Sequence, residues 1–338
     1  MDKNLITSIK PLGFIWPTTN PFLFCAHHLD EYPAGNPEMG PAASLSGRDL
    51  GQDFTPKDGW RMYHGQKIPG FPVHPHRGFE TITIVREGFV DHSDSHGQAG
   101  RYGAGDVQWM TAGSGMQHSE MFPLLNTTAS NRTELFQIWL NLPKAKKFSE
   151  PYFKMLWSED IPILKITDSK GKLTEINVIS GAVDNTQPLE IAPDSWAADP
   201  ANEVAVWTIR MEANASWTIP AASVGANRTI YFHLGTSISL NETLIDTNKA
   251  IGLRADHEIT ITNGDSPCQL LLLQGKPIEE PVVQYGPFVM NSQGEIQQAI
   301  SDYRQTEFGG WPWPSHEMVH PRSRGRFAKY RDGSEETR

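Results

Sequence analysis

Apolar and polar residues alternate with a period of two along much of this chain. The run 80–86 (ETITIVR) alternates, and so does 136–142 (FQIWLNL), with Phe136, Ile138, Leu140 and Leu142 on one face. Further on, 204–211 (VAVWTIRM), 229–234 (TIYFHL) and 258–262 (EITIT) read as strands. Turn signals at 86–88 (REG), 112–115 (AGSG) and 263–265 (NGD) separate them at the spacing of sandwiches and barrels. One helix stands out, over 292–304. Ser292 can cap it, Glu295 sits three residues on, and Ile296, Ala299, Ile300 and Tyr303 share a face.

The pattern breaks at 143–151 (PKAKKFSEP), which puts a domain boundary there. The expected division is 1–145, 146–290 and a C-terminal helix and tail over 291–338. Residues 314–338 carry few large apolar side chains and read as a partly mobile tail. A weak internal repeat aligns 102–113 (YGAGDVQWMTAG) with 253–264 (LRADHEITITNG) without gaps. Extending that register sets Gln269 opposite His118, the mark of a second barrel that holds no metal.

Composition narrows the function. The chain has 338 residues, with 29 Gly and 25 Pro spread along it, enough for two β-rich domains. A net charge of −10 opposes phosphate backbones and anionic surfaces, so direct nucleic-acid binding is not expected. The start of the chain shows no signal-peptide pattern, and no run is apolar enough to span a membrane. Cys25 and Cys268 are too few for a disulfide framework and read as inert thiols. These features give the expectation of a cytoplasmic protein.

Candidate chemistry concentrates early, because eight of the twelve histidines fall between residues 27 and 118. In His74-Pro75-His76 the two imidazoles, two apart on a strand, leave one face. If that strand runs on, Glu80, Ile82 and Ile84 share their parity. Downstream, 105–120 (GDVQWMTAGSGMQHSE) gives a strand, a Gly-rich turn, then His118 and Glu120, again two apart. Two such strands can converge on one metal. Either pair alone arises by chance less than once in a chain of this composition; both in strand context, with 41 residues between them, say more. His27-His28 reads as a polar loop pair. The segment 92–96 (HSDSH) reads as a solvated hairpin loop near the barrel mouth, and Trp311 and Trp313 as packing. No G-x-G-x-x-G, G-x-S-x-G or C-x-x-C occurs.

The segments HPHRGFET at 74–81 and GDVQWMTAGSGMQHSEM at 105–121 closely resemble the signatures of the pirin family of cupins. The likeness continues through 135–143 (LFQIWLNLP), 285–291 (YGPFVMN) and 308–313 (FGGWPW). It implies an all-β bicupin, two antiparallel jelly-roll barrels face to face, with metal in the first only. The family's ligands carry over onto His74, His76, His118 and Glu120. Glu80 occupies the usual cupin glutamate position, but the pirin pattern ranks Glu120 above it. Thr111 replaces the usual cupin proline, and the loop before His118 is two residues longer. Both departures are pirin features.

Three imidazoles and a carboxylate suit one divalent ion. Family precedent favours Fe(II); Ni, Mn, Zn or Cu also fit the ligand types. The resemblance then implies a quercetin (flavonol) 2,4-dioxygenase-type oxygenase acting on a small phenolic substrate, with Glu120 as the base. The alternative it carries is a non-enzymatic, metal- or redox-dependent regulator with a protein partner.

Overall fold

The computed structural model describes residues 5–338, which are mostly strand with a single α-helix, Gln293–Thr306. No helix among them is long and apolar enough to cross a membrane. The chain divides into two compact units, both discontinuous in sequence. One comprises His27–Gln137, Leu142–Ser158 and Glu280–Arg338; the other comprises Met1–Ala26, Ile138–Asn141 and Glu159–Glu279.

The histidine-bearing unit is built on antiparallel strands. One sheet runs in the order Glu335–Thr337, Phe327–Lys329, Ala99–Gly103, Phe89–Asp94, Met116–Met121, Gly70–His76. A second sheet contains Tyr152–Leu156, Val107–Thr111 and Phe79–Glu87 in that order. Thr83 of the second sheet hydrogen-bonds Glu120 of the first, so Thr83 and the Glu120 face look into the same interior.

The expected run of inward parity from His74 to Glu80 does not hold. The strand ends at His76, and Gly78, at φ +86°, turns the chain before Phe79–Glu87 begins. A Cβ at Gly78 would run into the carbonyl oxygen of Val289, so only glycine fits the bend. Glu80 then lies across from Thr111 and Ile82 across from Trp109, on the face opposite Thr83.

The helix starts where its capping signals predict. Ser292 Oγ accepts from the Glu295 backbone N–H, while the Glu295 carboxylate reaches back to the Asn291 N–H at 2.9 Å. Ile296 and Ala299 are buried with Phe288, Met290 and Phe308, and Ile300 and Tyr303 pack beside them. The segment beyond is not a mobile tail. Phe327–Lys329 pairs with Ala99–Gly103, and Phe327 and Ala328 are fully buried. Arg101, itself paired with Asp91, donates to the carbonyls of His320, Pro321 and Arg324. A few well-placed groups thus hold a stretch that is poor in apolar residues.

The other unit pairs a seven-stranded sheet with a four-stranded one around an apolar core that includes Trp207, Trp217, Phe232 and Leu270. The strands expected near 204–211, 229–234 and 258–262 form as Ala205–Met211, Asn227–Leu234 and Ile259–Asn263. The gapless repeat slips after the turn at Gly264. On Cys268–Gly275 the residues facing the core are Cys268, Leu270 and Leu272, so Gln269 leaves the opposite face. The inward neighbours at that level are therefore aliphatic or thiol. Cys25 and Cys268 are both free and buried, and burial pushes both thiols up, Cys268 to about 12.

Candidate metal centre

His74 and His118 face each other across two antiparallel strands. An irregularity between Phe71 and His74 offsets the register, so that Phe71 lies across from Glu120. The rings of His74 and His118 are 4.5 Å apart, those of His76 and His118 4.9 Å, and those of His74 and His76 4.8 Å. One nitrogen from each of the three rings lies within 4.8 Å of the others.

The three imidazoles are set up as neutral ligands. His74 Nδ1 lies 2.8 Å from the carbonyl oxygen of Pro72. A carbonyl only accepts, so Nδ1 carries the proton and Nε2 keeps its lone pair. Burial, with neighbouring imidazoles adding to it, drives His74 down to about 4 and His76 and His118 further below the usual range. His118 is the most telling. It is completely buried, and neither ring nitrogen has a hydrogen-bond partner among the described residues. Two orphaned ring nitrogens beside two more imidazoles are costly in a protein alone, and a divalent cation would relieve that cost at one of them. The donor set fits a metal.

Glu120 stands next to this cluster, with Oε2 3.8 Å from His118 Nε2. Gln137 Nε2 donates to both carboxylate oxygens, at 3.1 and 2.9 Å, and Thr83 Oγ1 donates to Oε1 at 3.1 Å. Burial raises its carboxyl pKa, while His92, Gln137, Thr83 and Tyr102 pull the other way. Glu80 is elsewhere, accepting from Thr111 Oγ1 at 2.6 Å and from Trp109 Nε1 at 3.1 Å. It ties two strands together.

Two histidine readings change. His92 lies on the strand Phe89–Asp94, not in a solvated loop; it is fully buried and its ring is 5.6 Å from that of His118. It stacks on Phe153, and its Nε2 lies 3.2 Å from Asp94 Oδ2. The turn begins only after Asp94, whose Oδ1 accepts from the His96 and Gln98 backbones. His27 and His28 also lie on a strand. His28 sits among Tyr63, Phe71 and Phe122, and burial lowers it to about 3.

Gln137, Thr83 and Tyr102 join the site without a clear mark in the sequence. Their signal is faint: Gln137 and Thr83 are polar positions on strands whose other face is apolar, a pattern shared with any solvent-facing residue. Trp313 donates its indole N–H to the Asp94 carbonyl at 2.8 Å, in keeping with a packing role.

A β-barrel with a cluster of three histidines on two adjacent strands, His76 and His118 buried and His74 half-buried, is the architecture of the cupins. Residues 44–140 match the Pirin family and residues 206–309 match the Pirin C-terminal cupin domain. Pirin-1 of Arabidopsis thaliana is 37% identical over 71% of this chain and 78% of its own length. A Pseudomonas aeruginosa protein provisionally named a quercetin 2,3-dioxygenase is 35% identical over 72% of this chain and 80% of its own. The crystal structure of quercetin 2,3-dioxygenase from Acinetobacter baumannii superposes with a TM-score of 0.69 at 24% identity, covering 90% of this chain and 98% of that one. The chain belongs to the pirin family and is an all-β bicupin with one short C-terminal helix.

Proposed function

We propose that His74, His76, His118 and Glu120 hold one divalent metal ion, Fe(II) by preference, and that the site oxygenates a flavonol in the quercetinase manner. The observation that carries this reading is the fully buried His118 imidazole, without a hydrogen bond at either nitrogen among the described residues and set between His74, His76 and Glu120. The name borne by the Pseudomonas relative supports the substrate class.

A bound ion would supply positive charge to a chelating phenol and redox chemistry toward oxygen. The protein's own part is proton handling. Glu120 takes the proton from the flavonol 3-hydroxyl, which must come within hydrogen-bond reach of it. Burial favours that uptake, and Gln137 and Thr83 hold the carboxylate in one orientation for it. Ring opening of quercetin with dioxygen then releases carbon monoxide. The decisive experiment measures metal content after chelator-free purification, then quercetin bleaching with carbon monoxide release. A fully metallated protein that leaves quercetin untouched would sink the quercetinase reading and move the weight to a regulatory binder in the cytosol.

A further inference from the structure

The barrel without the histidine trio has an opening of its own. A cavity of about 590 Å³ lies in this unit, within the range of small-molecule sites. Ala205, Gln274 and Arg228 form a row along one side of it, because Ala205 lies across from Gln274 and Gln274 lies across from Arg228 on three adjacent strands. Arg228 shares parity with Ile230 and Phe232, and Gln274 shares it with Leu270 and Leu272, all of them core residues. The row therefore belongs to the barrel's inner face. The remaining wall is largely apolar, with Trp207, Leu189, Ile191 and several prolines.

Arg228 is the anomaly. It is 3% exposed, and its charge has no carboxylate partner among the described residues. Nε donates to Gln274 Oε1 at 2.7 Å and Nη2 donates to the Pro220 carbonyl at 2.8 Å, but Nη1 has no partner among them. Glu203, the acid whose field reaches it, is engaged by the Ser223 N–H and hydroxyl and lies 3.9 Å from Lys276. Burial lowers the guanidinium to about 10, so it remains charged at neutral pH. A buried cation on a cavity wall, with its nearby acid engaged by other groups, is unfavourable unless something completes it.

We infer that this cavity binds a small organic monocarboxylate, with its carboxylate on the Arg228 guanidinium and its apolar body against Trp207, Leu189 and Ile191. A monoanion fits because Arg228 is the one cationic side chain among the described residues of the cavity wall. Glu190 and Glu203 also line the cavity and oppose a second negative charge, which disfavours phosphate. The inference is independent of the metal site.

The test is calorimetric titration of benzoate and of hexanoate into the full-length, metal-loaded protein and into its His118→Ala variant. One site per chain is expected in both proteins, since a carboxylate bound to the metal would vanish in the second. Arg228→Gln should weaken binding by about tenfold or more, the loss of one charge-assisted hydrogen bond. Gln274→Glu is nearly isosteric and sets a carboxylate beside Nε, so it should weaken binding similarly while the fold survives, as read by circular dichroism. Benzamide should bind about tenfold more weakly than benzoate, and inorganic phosphate should not displace it. The inference is overturned if binding survives both substitutions, disappears in His118→Ala, or yields to phosphate. It is equally overturned if neither acid binds saturably at about 10 mM, the weak end of small-ligand affinity.

Discussion

His92 lies directly across from Glu120 on neighbouring antiparallel strands, with its ring 5.6 Å from that of His118. A fourth imidazole, itself fully buried, thus borders the histidine trio, yet its Nε2 is turned to Asp94. Its position makes it a neighbour of the site rather than a ligand. His92→Phe should retain a full equivalent of metal, because a phenyl ring keeps the stacking on Phe153 and Asp94 still accepts from Gln98. Metal loss in this variant, measured by elemental analysis, would make His92 a ligand.

The ligand assignment is tested by His76→Ala and His118→Ala, each of which should remove bound metal and leave the barrel folded. A full equivalent of metal in either would refute the assignment. Glu80→Gln should keep the metal. Glu80→Ala should keep it too while losing about 1–3 kcal/mol of stability, since the Trp109 and Thr111 donors are left unpaired.

The strands are legible in the sequence because one face of each is apolar, and period-two alternation reports that directly. The His74, His76 and His118 cluster is legible because H-x-H and H-x-E place side chains two apart on one face whatever their partners are. What fails is parity carried across a bend. Gly78 breaks the parity between His76 and Glu80, and the turn at Gly264 shifts the repeat by one residue. A one-residue slip exchanges the two faces of a strand, so the pattern sets Glu80 and Gln269 on the wrong side. His92 looks solvated because Ser93 and Asp94 resemble turn residues, whereas both are buried next to groups that bond them. The terminal segments are illegible for another reason. Their order comes from pairing with strands more than two hundred residues away, as Phe327 pairs with Arg101 and Ile6 with Leu253.

Residues 314–338 should therefore matter to stability. Phe327 is fully buried, lies 4.9 Å edge-on to His320, and pairs across the strands with Arg101. Phe327→Ala should cost about 3–5 kcal/mol in denaturant unfolding, the usual loss for a buried phenylalanine. A change below about 0.5 kcal/mol, the range of surface substitutions, would return the segment to the status of a loose tail.

The role of Glu120 separates chemistry from metal binding. A Glu120→Gln variant that still holds metal should be slowed about 10²–10⁴-fold on quercetin, the usual span for losing a general base. Flavones lacking the 3-hydroxyl should be inert with either protein, because they have no proton there to give. An unchanged rate in the metallated variant would remove Glu120 from the reaction and leave it a structural partner of Gln137 and Thr83.

Lys147 gives a pH-dependent prediction near the bend that ends the ligand strand. Its side chain is almost fully buried, and Nζ donates to the carbonyls of Gly78 at 2.8 Å and Val289 at 3.0 Å. Burial lowers its pKa from 10.5 to about 8, although Glu280 and Glu295 oppose the shift. Between those two values the unfolded chain binds more protons at this site than the folded one, so the contribution of Lys147 to stability rises with pH. Below pH 8 both states are protonated and the contribution is flat. Across the window the gain is about 3 kcal/mol at most. Lys147→Met has no proton to release, so the stability of the wild type relative to this variant should climb from pH 8 to 10.5 in urea unfolding. A constant difference over that range would show that the ammonium is solvated in the folded protein and that the Gly78 bend does not depend on a buried charge.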